Sequence, residues 1–597
     1  MAAWTSGDAR VRLTLVDVLI LAAYFLISFF LAWRYRRRAQ QSLAEFFVSG
    51  RGVPWWLAGT SMVATTFAAD TPLAVTGLTV RYGIAGNWLW WSLLFSGMLT
   101  VFFFARLWRR AGVLTDVELV ELRYAGRPAA FLRGFRAVYL GAVMNCLIMG
   151  WVNLAMVKIL TLTLGLSKIE AVLACLGVTA LYTTISGLWG VLLTDFFQFI
   201  LMMSVTILLA VYAVDAVGGL AALRAKSLAL EASRNATGSD SLLAFVPSAD
   251  SAWMPLLAFL VYLGVNWWAS WYPGAEPGGG GYIAQRIFSA KDEKHSLWAT
   301  LWFNIAHYAL RPWPWILVAL TSAVLYPGLA DPESGYILVV VNHLPASLRG
   351  WTLAAFLAAY MSTISTHLNW GASYLVNDFY RRVVRPGAEE RHLVRVAQGA
   401  TLLLMVLAGS VTYFLHSIEQ AWRLLLMLGA GTGSVYLLRW YWWRINAWSE
   451  ISAMVAALAV SVWVQQARLF TGSEQVVFAK SMLLTTAVTT AAWLTVTLLT
   501  RPTPRERLLE FYRRVRPAGA GWKPIAALAP EVPTARSNWA NLRAWLLGCI
   551  LVYAVLFGIG KLLLLESLPG LTFLVVAVLA AGALYADFRR RGWESFG

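Results

Sequence analysis

The chain has 597 residues, of which 59 % are hydrophobic and only 13 % charged, and its mean hydropathy is +0.63. That is too apolar for a soluble multidomain protein, so the chain must be solvated by lipid. Its net charge of +18 comes from 48 basic and 30 acidic residues; retention of Lys and Arg in cytoplasmic loops, facing anionic headgroups, accounts for it without a nucleic-acid partner.

Hydropathy predicts about fifteen spans of roughly 20 residues each. They lie near 13–33, 55–80, 87–108, 136–164, 168–186, 188–213, 253–272, 296–326, 350–377, 393–417, 421–440, 448–467, 475–499, 543–565 and 569–587. An odd number puts the termini on opposite sides. Basic residues at Arg34 and Arg36 to Arg38, Arg109 and Arg110, Arg286 with Lys291 and Lys294, Arg381 and Arg382, Arg439 with Arg444, 501–515, and Arg589 to Arg591 fall on alternate loops. The expectation is a multi-pass protein of the plasma (inner) membrane with its N-terminus outside and its C-terminus in the cytoplasm. The first apolar run precedes its basic cluster and has no small-residue cleavage signature, so it reads as a retained span.

In chain order, the first segment with chemistry is Ser61 to Pro72, where small and β-branched residues precede an acid and a proline in mid-span. Proline removes a donor and frees carbonyls upstream. Asp70 at that depth costs roughly 2.5–3.5 kcal/mol and should face a cavity or a partner, unless it lies near the interface beside a kink. Next, Tyr182 to Gln198 reads as a tight cytoplasmic turn running into a span that carries Asp195 about two turns in. That carboxylate either balances a bound cation or pairs with a nearby arginine. Asn235-Ala236-Thr237 fits a glycosylation sequon on the outer side.

Trp267 to Gly281 then holds a Gly/Pro-rich turn, and Arg311-Pro312-Trp313-Pro314 stands one turn after His307 in the eighth span. An arginine there either faces a substrate carboxylate or neutralises Asp70 or Glu276. Asp70 is itself a candidate reader of an amine, helped by tryptophan, or of a sugar hydroxyl. In the ninth span, the run from Leu357 to His367 puts Ala359, Ser362, Thr363 and Thr366 on one stripe with Ser365 beside it. Hard, uncharged oxygens suit a weakly held alkali cation; the same small residues would also let two helices pack closely. Gly429 to Gly433 lies inside an apolar span and reads as a broken helix, not a nucleotide loop. Cys146, Cys175 and Cys549 all fall inside spans and give neither metal-ligand spacing nor a disulfide framework. No nucleophile, base and metal converge, so no enzyme is expected.

Four segments, in this order, carry a resemblance: Ser42 to Arg51, Tyr182 to Gln198, Gln285 to Lys291, and Met361 to Tyr380 ending in Asn377-Asp378-Phe379-Tyr380. The chain resembles the sodium:solute symporter family over roughly residues 15–445. The resemblance implies an all-α polytopic membrane protein with the leucine-transporter fold. Its two inverted five-helix repeats would occupy 51–215 and 216–445, each opening on a helix unwound at midplane. An extra N-terminal span would lie within 1–50, and about four more within 446–597, which includes a cytoplasmic loop at 500–542.

It also implies secondary active transport: import of a small polar organic solute (sugar, polyol, amino acid, amine or carboxylate) by Na⁺ symport with alternating access. The main sodium site would use carbonyls of Ala64, Phe67 and Ala359 with hydroxyls of Ser362 and Thr363. A second sodium would use Asp195, Ser365 and Thr366, sharing Ser362. The solute region maps to Thr66, Asp70, Thr71, Asn266, Trp267, His307 and Gly431, with Arg311 added from its own placement. One coupled ion would support a few hundredfold accumulation and two roughly 10⁵-fold, at 100 mV and a tenfold gradient. The expected assembly is a monomer or weak homo-oligomer in the bilayer. The competing readings are a sensor or receptor on a transporter scaffold, for which 500–542 is short, and a passive channel.

Overall fold

The computed structural model describes residues 14–233, 241–533 and 538–591, apart from 416, 417, 419, 420, 423, 424, 427 and 428. The sequon at Asn235 lies outside the described residues. Among these, nine helices are long and apolar enough to cross a membrane. Exposed leucines, isoleucines and valines along them, such as Leu15, Leu19, Val406, Leu579 and Val578, face the surface that lipid would cover.

Around the centre the helices are interrupted, and each interruption has a local cause. The second predicted span is two helices, α1 at Trp55–Thr66 and α2 at Asp70–Tyr82. Phe67 leaves the helical region with φ −87° and ψ 60°. Pro72, three residues into α2, has no N–H and would clash with a continuous upstream turn, so the helix restarts instead. The Phe67 amide closes α1 onto Val63 O and Ala64 O, at 2.9 and 3.1 Å, and Thr66 Oγ1 back-bonds to Met62 O and Val63 O.

The fifth and sixth predicted spans form α3 at Lys168–Ala216, bent at Gly187, whose φ of 57° with ψ −165° suits glycine. A Ser167–Glu170 capping box starts it. The seventh span differs from the prediction of 253–272. It is a discontinuous pair, α4 at Leu256–Ala269 and α5 at Gly281–Ser289. The Gly/Pro-rich stretch is the extended break between them. Gly274 at φ +84° shows why glycine is needed there: a Cβ would collide with Tyr282 Oη. An isolated bridge between Val53 and Ala290 ties the start of α1 to the end of α5.

The eighth span is α6 at Glu293–Ile305 and α7 at Pro312–Leu325, joined by a π-helical turn, Ala306–Leu310. Pro312 and Pro314 fall in the first turn of α7, where a missing N–H costs nothing, and the Arg311 amide reaches back to Ala306 O at 3.2 Å. The extra residue in this turn carries His307 and Arg311 inward. The ninth span is α8 at Ala346–Ser373, continued by a π-helical stretch to Val384. Helix α8 packs on α3 and α1, and α7 packs on α2. The expected glycine break is present too: 429–432 is a turn, with Gly431 at φ +85°, ahead of α9 at Gly433–Tyr441.

Candidate functional site

The break between α1 and α2 frees carbonyls that a continuous helix would consume. One of them is claimed from α8: Thr363 Oγ1 lies 2.7 Å from Thr65 O and 3.1 Å from its own helix's Ala359 O. Ala64, Phe67, Ala359, Ser362 and Thr363 are all buried. Ala64 O accepts from the Phe67 amide, Ala359 O from Thr363, and the Ser362 hydroxyl is given to Asp195; neutral oxygens of this kind are the type that suits a hard monovalent cation.

Beside them, Asp195 of α3 is fully buried and held by two short hydroxyl bonds, from Ser61 at 2.5 Å and Ser362 at 2.6 Å. Its charge is balanced by Arg286 of α5, whose Nη2 lies 3.6 Å away. The same guanidinium donates to Thr366 Oγ1 at 2.6 Å, to Ser61 Oγ at 3.2 Å and to Gln285 Oε1 at 2.9 Å. Thr366 in turn meets Thr65 Oγ1 at 3.0 Å, and Ser365 turns its hydroxyl onto Ser362 O at 3.2 Å. Of the two alternatives for Asp195, the structure shows the arginine pair, so a second sodium at Asp195, Ser362, Ser365 and Thr366 would have to share the acid with Arg286. The basic-loop count had placed Arg286 at the cytoplasmic surface; it is buried inside the bundle.

Next to these oxygens lies a cavity of about 80 Å³, room for roughly five to eight waters. Thr66, Asp70, Thr71, His307 and Arg311 line it, as do Thr65 and Thr363 from the oxygen cluster. The break after α4 contributes Tyr272, Pro273, Gly274 and Ala275, and further aromatic walls come from Trp90, Trp151, Tyr282, Tyr308 and Trp422. His307 Nδ1 stands 3.1 Å from Thr66 Oγ1. Asp70, the first residue of α2, sits at the positive end of that helix, and its Oδ1 is buried with no hydrogen-bond partner among the described residues.

Three residues expected in the solute region lie elsewhere. Asn266 is bonded to Ser270 within α4. Trp267 donates to Leu263 O and packs on Phe95 and Trp545. Gly431 abuts Thr489, and its amide donates to Ala269 O. The cavity begins one turn later because the chain leaves the helix after Ala269. Of the two alternatives for Arg311, a direct ion pair with Asp70 or Glu276 is not formed among the described residues: Arg311 contacts His307, Val63 O and the rings of Phe67 and Trp315, and Asp70 acts on it through space. The aromatic lining was missed; the one available signal was the glycine-proline stretch itself, which marks where backbone leaves the helix next to a site.

Among known proteins, the sequence pattern described as Sodium:solute symporter family matches residues 46–457, more than half of the chain. The sodium/mannose cotransporter of Bos taurus is 25 % identical over 486 residues, covering 75 % of this chain and 78 % of the relative. The sodium/glucose cotransporter of Vibrio parahaemolyticus is 23 % identical over 479 residues, covering 76 % and 86 %. The solved substrate-bound, outward-open structure of a Na⁺-coupled sialic acid symporter superposes with a TM-score of 0.66 at 16 % identity, covering 82 % of this chain and 99 % of that one. That likeness identifies the leucine-transporter fold, in which broken helices meet at a central site. The chain belongs to the sodium:solute symporter family.

Proposed function

We propose that this secondary active transporter couples entry of a hydroxyl-rich small solute, of the sugar and polyol kind named for its relatives, to sodium bound by Ala64, Phe67, Ala359, Ser362 and Thr363. The observation that carries the reading is the Thr363 hydroxyl, which ties α8 to the freed Thr65 carbonyl while lining the solute cavity. An ion there joins the moving break to α8 and fixes the cavity wall at the same time. Sodium thus stabilises the state whose solute site is formed, and coupling is a difference in binding between states. The two repeats, 51–215 and 216–445, each open on a broken helix and rock about this centre.

With Arg286 holding Asp195, one sodium per cycle is the stoichiometry these contacts favour. The basic loops together with Arg589 to Arg591 support a C-terminus in the cytoplasm of a plasma (inner) membrane. The test is uptake into proteoliposomes loaded with potassium and diluted into sodium or potassium medium, with labelled sugars and polyols. Accumulation above equilibrium only with an inward sodium gradient, collapsed by a sodium ionophore, is the expected result; equal flux in both media would favour a passive channel.

A further inference from the structure

Three arginines rank among the largest fully buried side chains, Arg123, Arg286 and Arg311, and they differ in what holds them, Arg123 keeping its Nη1 without a partner among the described residues. Arg123 donates to the carbonyls of Arg439, Trp442 and Trp443, each at 3.1 Å, at a helix end, where cation and dipole agree. Arg286 has its carboxylate and its hydroxyls. Arg311 has neither: its three contacts, to His307 O, Val63 O and His307 Nε2, are 3.3, 3.3 and 3.4 Å long. Charge-assisted bonds normally close to about 2.7–2.9 Å. Among the described residues no carboxylate pairs with it, and it is 1 % exposed.

Asp70 of the same cavity acts on this charge only through space, with no ion pair formed; burying a guanidinium that way is expensive, and a carboxylate brought in by a ligand would offset the cost. The surroundings say where that partner binds. Phe67 and Trp315 stand 5.6 and 5.1 Å from the guanidinium carbon and fix its plane. The preceding π-turn and Pro312 fix its backbone, and the group lines the solute cavity. A rigid planar fork whose present contacts are all long matches a carboxylate bidentately. Across the same cavity, the free Asp70 Oδ1 is an acceptor for a hydroxyl or ammonium of the same molecule.

We propose that the transported solute carries a carboxylate, which pairs with Arg311 while Asp70 accepts a hydrogen bond from the rest of the molecule. Sugar acids combine this chemistry with the hydroxyl-rich solute proposed above; amino acids share the carboxylate alone and are the source that the test separates. The proposal rests on the assignment of this cavity as the solute site. The test is thermal stability of the purified full chain, in sodium and in potassium. D-glucuronate, D-galacturonate and D-gluconate are each compared with the neutral parent sugar, and L-amino acids with their amides. A carboxylate that stabilises where its neutral partner does not is the expected result, the sugar-acid or amino-acid arm identifying the source. Arg311→Gln should weaken that binding by about 10- to 100-fold, with Arg311→Lys between the two.

Neutral sugars that stabilise as well as their acids, unaffected by Arg311→Gln, would overturn the proposal and leave sodium symport standing. A carboxylate that stabilises equally in sodium and potassium would support the proposal and contradict the coupling. Should Arg311→Gln fail to fold, the acid-against-parent comparison in the unaltered protein decides alone.

Discussion

The oxygen cluster at α8 and the solute cavity beside it share Thr65 and Thr363 yet differ in how their polar groups are spent. In the cluster, Asp195 accepts from Ser61 and Ser362, Arg286 reaches Asp195 and Thr366, and Thr363 bridges two carbonyls. In the cavity, Asp70 Oδ1 has no hydrogen-bond partner among the described residues and the hydrogen bonds of Arg311 are long. A committed network holds a geometry ready for a small ion, because preorganised ligands lose little freedom on binding. Free groups in a walled space await a ligand large enough to reach both. On the assignments proposed above, ion and solute are read by different means, and the two regions should respond differently to mutation.

The largest effect should come from Thr363→Ala or Ser362→Ala. Removing a neutral ligand that also joins α8 to its neighbours is expected to cut sodium-driven uptake by about 100-fold or more, equivalent to 2–3 kcal/mol, with the fold retained. Uptake in proteoliposomes and the elution profile of the purified protein check this; normal uptake would remove both residues from the sodium site. On stability, as distinct from uptake, the largest effect should come from Asp195→Asn. It leaves Arg286 buried without its counter-charge, a loss of about 3–5 kcal/mol, and Asp195→Asn with Arg286→Gln should recover part of it in thermal melts.

A smaller effect is expected at the cavity's own backbone. Gly274→Ala meets Tyr282 Oη and an unfavourable φ of +84°, costing about 1–3 kcal/mol and weakening solute binding more than sodium binding. A shift of both affinities by equal factors would show that cavity and cluster are one unit.

The smallest effect lies outside the bundle, at Glu121. Burial pushes its carboxyl up, but hydrogen bonds from Arg382 and Arg133 outweigh burial and hold it below the ordinary carboxylate range. A depressed folded-state value stabilises above the unfolded value of about 4.3 and is lost as pH falls through the folded one. Arg382 is half exposed, so screening limits the contribution to under about 1 kcal/mol. Melting temperatures of the protein and of Glu121→Gln should differ slightly at neutral pH and converge below about pH 4; a gap that widens on acidification would refute the assignment.

Much of the cluster was legible in the sequence because a helix has a fixed period: Ala359, Ser362, Thr363 and Thr366 must share a stripe wherever the helix lies. Asp195 was legible as a carboxylate in an apolar span, but its partner was not, since Arg286 stood among basic residues used to orient the loops. The cavity was less legible. Asp70, Thr66, Thr71, His307 and Arg311 announced themselves as polar residues near prolines. Tyr272, Tyr282, Trp90, Trp151 and Trp422 are lost among 31 tryptophans and 22 tyrosines, because interfaces and sites use the same residues. Asn266 and Trp267, carried over from the family resemblance, do not line this cavity, whose wall begins after glycine and proline end the helix at Ala269.

The most direct test of the account is equilibrium binding of radioactive sodium to the purified protein, its Thr363→Ala variant and its Arg311→Gln variant, without solute. Saturable binding that potassium does not displace, lost in Thr363→Ala and kept in Arg311→Gln, is the predicted result. Retention of binding in Thr363→Ala, or its loss in Arg311→Gln, would contradict the division between an ion site of committed oxygens and a solute site of free charges.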